Sequence, residues 1–221
     1  MARTRTLSAF RLDVRTARSV YPVMGYTLAV ACAVGWLTQK PGVTGFVVMV
    51  FAMFLGGTIF QIHEKNHSAK LYGFLPLRRR EVVAGRYLFA LVVGVVNLVV
   101  ASGAAALVNK VTGADMAALD YLMILAGAWL FYCFAVCVTY PIYFSVGFAR
   151  AYMFTMVPFM AVMVTIVILL RRGGMKLLRS WGSFLSDHRL LMTFGGLGAG
   201  LVLLAVSAVV AAPLYQRREL A

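Results

Sequence analysis

Charge is what this sequence has least of. Only 13% of its 221 residues are charged, 21 of them Lys or Arg and seven Asp or Glu, while 62% are hydrophobic. Soluble domains carry about a quarter charged residues and are nearer half apolar. A soluble enzyme of this size would lack the polar side chains to cover its surface. Cysteine is nearly missing as well. Cys32, Cys133 and Cys137 all lie inside apolar runs, which excludes a disulfide framework and leaves them as small apolar residues. No G-x-x-x-x-G-K-S/T phosphate loop occurs, so no ATPase motif is present. A cleavable signal peptide is not expected, because the first 19 residues carry five Arg and no long apolar core.

What remains is apolar sequence in long blocks. A span across about 30 Å of hydrocarbon takes roughly 20 residues. Six charge-free stretches qualify: Val20–Gln39, Pro41–His63, Tyr87–Asn109, Tyr121–Ala149, Ala151–Leu170 and Leu190–Gln216. The expected fold is therefore all-α: one polytopic membrane domain over 1–221 with six transmembrane helices. Before the first span, Leu7, Phe10, Val14 and Ala17 recur at helical spacing, with Arg11, Asp13, Arg15 and Arg18 mostly off that stripe. Residues 1–19 thus read as an amphipathic helix lying in the interface.

The basic residues orient the chain. The N-terminal segment holds five Arg, the 64–86 loop six Lys or Arg, and Arg150, Arg217 and Arg218 flank later spans. The positive-inside rule puts these, and both termini, in the cytoplasm of a cell-membrane protein. The same charge meets anionic lipid, which explains the net charge of +14 without nucleic acid. Residues 171–189 disagree, since five basic residues fall where alternation places an external loop. Leu177, Leu178, Trp181, Phe184 and Leu185 form an apolar stripe there, so a surface helix before the last span is expected. In the last span, Gly196 and Gly200 make a small-xxx-small pair suited to close helix approach. Pro158 is expected to kink the fifth. Trp129, Phe131, Tyr132, Phe134 and Tyr140 suit either an apolar cargo or ordinary packing.

The central parts of the six stretches contain no Asp, Glu, Lys, Arg or His, and Asn97 is the most polar group deep in a span. Proton relays and voltage sensors need such residues. Energy for uphill transport would have to come from another subunit.

The segment QIHEKNHSAKLYGFLPLRRREVVAGRYL, from Gln61 to Leu88, carries the most information. It contains H-E-x-x-H as His63, Glu64, Lys65, Asn66 and His67. On a helix His63 and His67 share a face and could bind zinc, with Glu64 as general base of a membrane metalloprotease. A third ligand is needed, and Lys70 and Gly73 stand where a metzincin has its Gly and third His. The preferred reading therefore assigns no metal and no catalytic residue.

The same segment resembles the cytoplasmic loop of type-2 ABC export permeases, including bacterial drug, bacteriocin and cytolytic-peptide exporters. Glu64-Lys65-Asn66 matches the cluster that closes the second span. Leu75-Pro76-Leu77 followed by Arg78, Arg79 and Arg80 matches the Leu-Pro turn and its basic run. Glu81-Val82-Val83 and Gly85-Arg86-Tyr87-Leu88 match the step into the third span. His63 departs from the acidic residue usual there.

The resemblance implies a coupling loop over 64–86. In it Glu64, Lys65, Asn66, Leu75, Pro76, Arg78, Arg79, Arg80 and Glu81 would seat in a cytosolic ABC ATPase. It further implies a second permease subunit, identical or paralogous. No cofactor is expected in this chain, ATP and Mg being held by the ATPase. Independently of the resemblance, Pro76 fixes a turn, and alternating charges around it suit docking to a protein surface. A non-catalytic membrane scaffold or immunity protein is the remaining alternative.

Overall fold

The structure, a computed structural model, describes residues 10, 13–17, 21–65, 79–113, 117–151 and 188–218. These residues contain no strand. Five long helices run as α1 Tyr21–Thr38, α2 Pro41–Lys65, α3 Arg79–Thr112, α4 Ala118–Val146 and α5 Arg189–Arg218. Residues 13–17 and 148–151 are also helical. Four of the five are long and apolar enough to cross a membrane, through Pro41–Ile62, Arg80–Thr112, Ala118–Val146 and Arg189–Tyr215. The apolar part of α1, Pro22–Thr38, is about 25 Å long at the α-helical rise, a little short of the hydrocarbon thickness. Pro158, all of the expected fifth span except Ala151, and all of the expected surface helix except His188 and Arg189 lie outside the described residues.

Several boundaries differ from the sequence expectation, and two of them have a clear physical cause. The third span was expected to start at Tyr87, after a loop. Instead α3 begins at Arg79, so Arg79, Arg80, Glu81 and Arg86 are helical. Its 34 residues reach about 50 Å, some 20 Å more than the hydrocarbon needs. The charged turns are the part that stands outside. Glu81 in the first turn and Lys110 in the last also oppose the helix dipole favourably. The fourth span was expected to run through to Ala149. It stops at Val146 because Gly147 takes φ 91°, and the Gly147 N–H closes the last turn onto the Tyr143 carbonyl at 3.1 Å.

Helices α1 and α2 form an antiparallel hairpin with only Gln39 and Lys40 between them. Gln39 takes φ 54°, and its side-chain amide donates to the Trp36 carbonyl at 3.0 Å. Gly35 lets Thr44 approach the α1 backbone more closely than any Cβ would permit.

The core is organised on α4. Trp129, Tyr132, Cys133, Val136, Tyr140 and Phe144 are all buried. The aromatic residues of this run thus serve packing, although Phe134 is half exposed. Three of them donate to carbonyls of neighbouring helices, the Tyr140 hydroxyl to Gly56 of α2 at 3.5 Å. Trp129 Nε1 reaches Leu197 of α5 at 3.2 Å, and the Tyr132 hydroxyl reaches Ala90 of α3 at 2.7 Å. Gly200 faces Trp129 and Cys133, and a Cβ there would lie 2.5 Å from Trp129 Nε1. Gly196 faces Ala126. The small-residue face of the last helix is its contact with α4.

Pro141 lies inside α4 and has no N–H to give the Cys137 carbonyl one turn back. Ser207 of α5 donates to that carbonyl at 3.0 Å. Having one hydroxyl proton, Ser207 then accepts from the Tyr87 hydroxyl of α3, 2.6 Å away. A proline-freed carbonyl in lipid is satisfied by a neighbouring helix, and three helices are tied at that point. Asn97 is buried and spends an amide proton on Val93 of its own helix at 2.8 Å.

Candidate functional site

The chain direction brings the charged segments to one end of the bundle. There α2 finishes with Glu64 and Lys65, α3 begins with Arg79 to Arg86, and α4 gives way to residues 148–151. Glu64 is exposed, yet its Oε2 accepts the Ala149 N–H at 3.0 Å. Residue 149 opens a short helix just past Gly147, so its N–H is a donor that the helix itself cannot satisfy. A carboxylate is a strong acceptor for it. The sequence singled out Glu64 for docking; the structure adds that it ties the end of α2 to the segment after α4. Lys65 beside it is exposed, as are Arg80 and Arg150.

Glu81 is placed differently. It is 9% exposed, facing into the protein one residue after exposed Arg80. Asn66, His67, Leu75, Pro76 and Arg78 lie outside the described residues, as do the side chains of His63 and Arg79. The zinc reading depends on both histidines. Among the described residues, no three His, Cys, Asp or Glu side chains gather as a metal site.

The most elaborate packing at this end surrounds a residue that the sequence marked only as the start of a span. Arg86 is 9% exposed. Its guanidinium lies over the Phe60 ring at 4.4 Å and the Phe144 ring at 5.4 Å. Phe60 meets Tyr140 and Phe144 edge-on at 4.9 and 5.1 Å, and Phe144 meets Tyr215 of α5 at 5.3 Å. Planar guanidinium tolerates such desolvation on aromatic faces better than an ammonium would. Asp13, 1% exposed, lies with Arg86 within electrostatic reach of the Tyr140 phenol. Phe10 packs on Phe89 at 6.4 Å. The described part of the N-terminal segment is thus seated on the start of α3 rather than only on the lipid surface. A single Asp in an Arg-rich amphipathic stretch was the available sign.

Between α2 and the end of α4 lies a cavity of about 480 Å³. Met53, Phe54, Gly57 and Tyr143 line its inner part, and Gln61, Glu64, Lys65 and Ala149 its mouth. A second cavity, about 200 Å³, sits at the opposite end beside Asn109 and Tyr121.

No curated protein matches the chain significantly. A family model described as an ABC-2 family transporter protein matches residues 14–216. That range takes in the Glu64–Lys65 end of α2, the charged start of α3, the Arg86 aromatic box and the long helices up to residue 216 of α5. The chain is a multi-pass membrane protein, a transporter membrane component, and belongs to the ABC-2 transporter family.

Proposed function

We propose that this chain is the permease subunit of an ATP-driven exporter. Two permeases and two cytosolic ABC ATPases would form the working unit, with ATP and Mg bound by the ATPases. The basic end and both termini face the cytoplasm, in keeping with the positive-inside rule. Ala151 belongs to the basic end and Arg189, paired with Asp120 at 2.9 Å, to the other. That placement supports a further crossing between them, and so the six-span layout.

The observation that carries the mechanism is the Glu64–Ala149 hydrogen bond. An ATPase that grips the 64–86 segment pulls on the end of α2. Through Glu64 the pull reaches the segment after α4, and through Arg86 and its aromatic box it reaches α3 and α5. Exposed Lys65 and Arg80, with Asn66, Leu75, Pro76, Arg78 and Arg79, form the docking face. Buried Glu81 holds the first turn of α3 in place beneath that face. The bundles then rock between inward- and outward-open states and move an amphipathic or apolar substrate, such as a peptide or antibiotic.

Reversing both Glu64 and Glu81 to Lys is expected to abolish export while the chain still inserts in the membrane. Insertion is read by protease protection and transport by ATP-dependent loss of substrate from loaded vesicles. Unchanged export by that variant would overturn the coupling role.

A further inference from the structure

The cavity between α2 and α4 has a form that the coupling role does not call for. Its volume, about 480 Å³, is that of a small-ligand pocket. Its inner walls are mostly apolar, with the Tyr143 hydroxyl at the Gly57 floor. Thr58 and Thr139 line it, but each spends its single hydroxyl proton on its own helix, Thr58 on Leu55 at 2.7 Å and Thr139 on Ala135 at 2.9 Å. Gly57 forms part of the floor, where a Cβ would meet only Phe148 and Tyr143 at 3.6 Å or more. The missing side chain adds to the space, and a large one would extend into it.

The mouth has the opposite character. Glu64 and Lys65 both line it. Adjacent helical residues do not face one another, so the carboxylate and the ammonium do not neutralise each other across the opening. One Glu64 oxygen holds the Ala149 N–H, and the carboxylate keeps further acceptor capacity. The cavity extends from this mouth to Phe54, which is 40% exposed. Ten residues of helix separate Phe54 from Glu64, about 15 Å along the axis. That is about half the hydrocarbon thickness, so the cavity follows one leaflet from its polar surface to the bilayer middle.

We propose that this cavity binds a zwitterionic amphiphile with a single apolar chain, taken sideways from the leaflet at the basic end. The cationic group of its head meets Glu64 and the anionic group meets Lys65. The chain lies along Met53, Phe54, Tyr143 and Phe148. The permease reading supplies only what such binding is for; binding itself rests on the cavity alone.

The test uses the full-length chain in nanodiscs of neutral lipid, with no ATPase present. The probe is a single-chain phosphoethanolamine lipid bearing a diazirine in its chain. After illumination, adducts are mapped by mass spectrometry. Labelling is expected on α2 and α4 around 53–65 and 139–149. Excess unlabelled zwitterion should compete with it better than single-chain trimethylammonium or sulfate amphiphiles. Gly57→Leu, which fills the floor, should lower labelling there about tenfold, as loss of the chain site requires. Lys65→Glu, an exposed change that spares the core, should turn the preference towards the trimethylammonium competitor.

Labelling that is spread over all lipid-facing helices, or that ignores both substitutions, would overturn the proposal. So would equal competition by all three head groups. Specific labelling by a chain that recruits no ATPase would sustain this site and sink the exporter reading.

Discussion

At the end of the bundle away from the charge cluster, α1 and α2 are joined by just two residues, and α4 meets α5 through Asp120 and Arg189 at 2.9 Å, both about one-third exposed. At the basic end the connections are longer in sequence and denser in chemistry. Glu64 reaches a backbone donor 85 positions away. Arg86 is boxed by rings from α2 and α4, and Asp13 and Glu81 are buried beside the start of α3. One end is held by a two-residue link, a partly exposed ion pair and the Tyr121 hydroxyl on α3 carbonyls, the other by buried charged groups and a carboxylate on a backbone N–H. Side-chain contacts can be made and broken as helices shift, whereas a two-residue link cannot. On the proposed coupling, force enters at the basic end and the other end is the pivot of the α1–α2 hairpin.

The largest effect expected from this contrast is on partner binding. Arg80→Glu at the basic end should cut retention of the ATPase about tenfold, the loss that an interfacial charge reversal commonly causes. Lys110→Glu, equally exposed at the far end, should leave retention unchanged. Quantitative immunoblots of the two purified variants check this, and equal loss in both would erase the distinction between the ends.

Next comes the membrane middle, which serves both ends as scaffold. Gly200→Leu would push a side chain into Trp129 and Cys133 and part α5 from α4, at a cost of about 1–3 kcal/mol for overpacking. A lowered melting temperature in detergent is the expected outcome. Ser207→Ala strands the Cys137 carbonyl and the Tyr87 hydroxyl. That should cost about 1–3 kcal/mol, read in the same melting assay, and Ser207→Thr should restore most of it. The smallest effect belongs to Asp120→Asn. An exposed ion pair is worth about 1 kcal/mol at most, so its melting temperature should differ little from wild type and less still at high salt.

How much of this was legible in the sequence follows the physics of each signal. The second and last spans, expected at Pro41–His63 and Leu190–Gln216, appear as helices Pro41–Lys65 and Arg189–Arg218. Apolar runs bounded by charge mark where lipid begins. They do not mark where a helix begins, which is why α3 starts eight residues before Tyr87. Nor does hydropathy register the positive φ of Gly147 that ends α4. At the site, Glu64 stood out because acidic residues are so few. Its bond to Ala149, the seat of Arg86 between Phe60 and Phe144, and the Ser207 donor that answers Pro141 depend on residues that only tertiary packing brings together. Gly57 gave no local sign, since a cavity floor and an ordinary membrane glycine look the same in sequence.

The central claim is that the basic end of this permease engages a separate ATPase. It is tested most directly by purifying the tagged chain from its native membrane in mild detergent and identifying what accompanies it by mass spectrometry. A near-stoichiometric partner with a G-x-x-x-x-G-K-S/T phosphate loop is expected, its yield cut about tenfold when Arg80 is changed to Glu. A folded, monodisperse preparation with no such partner, or one that keeps its full yield after that change, would contradict the account.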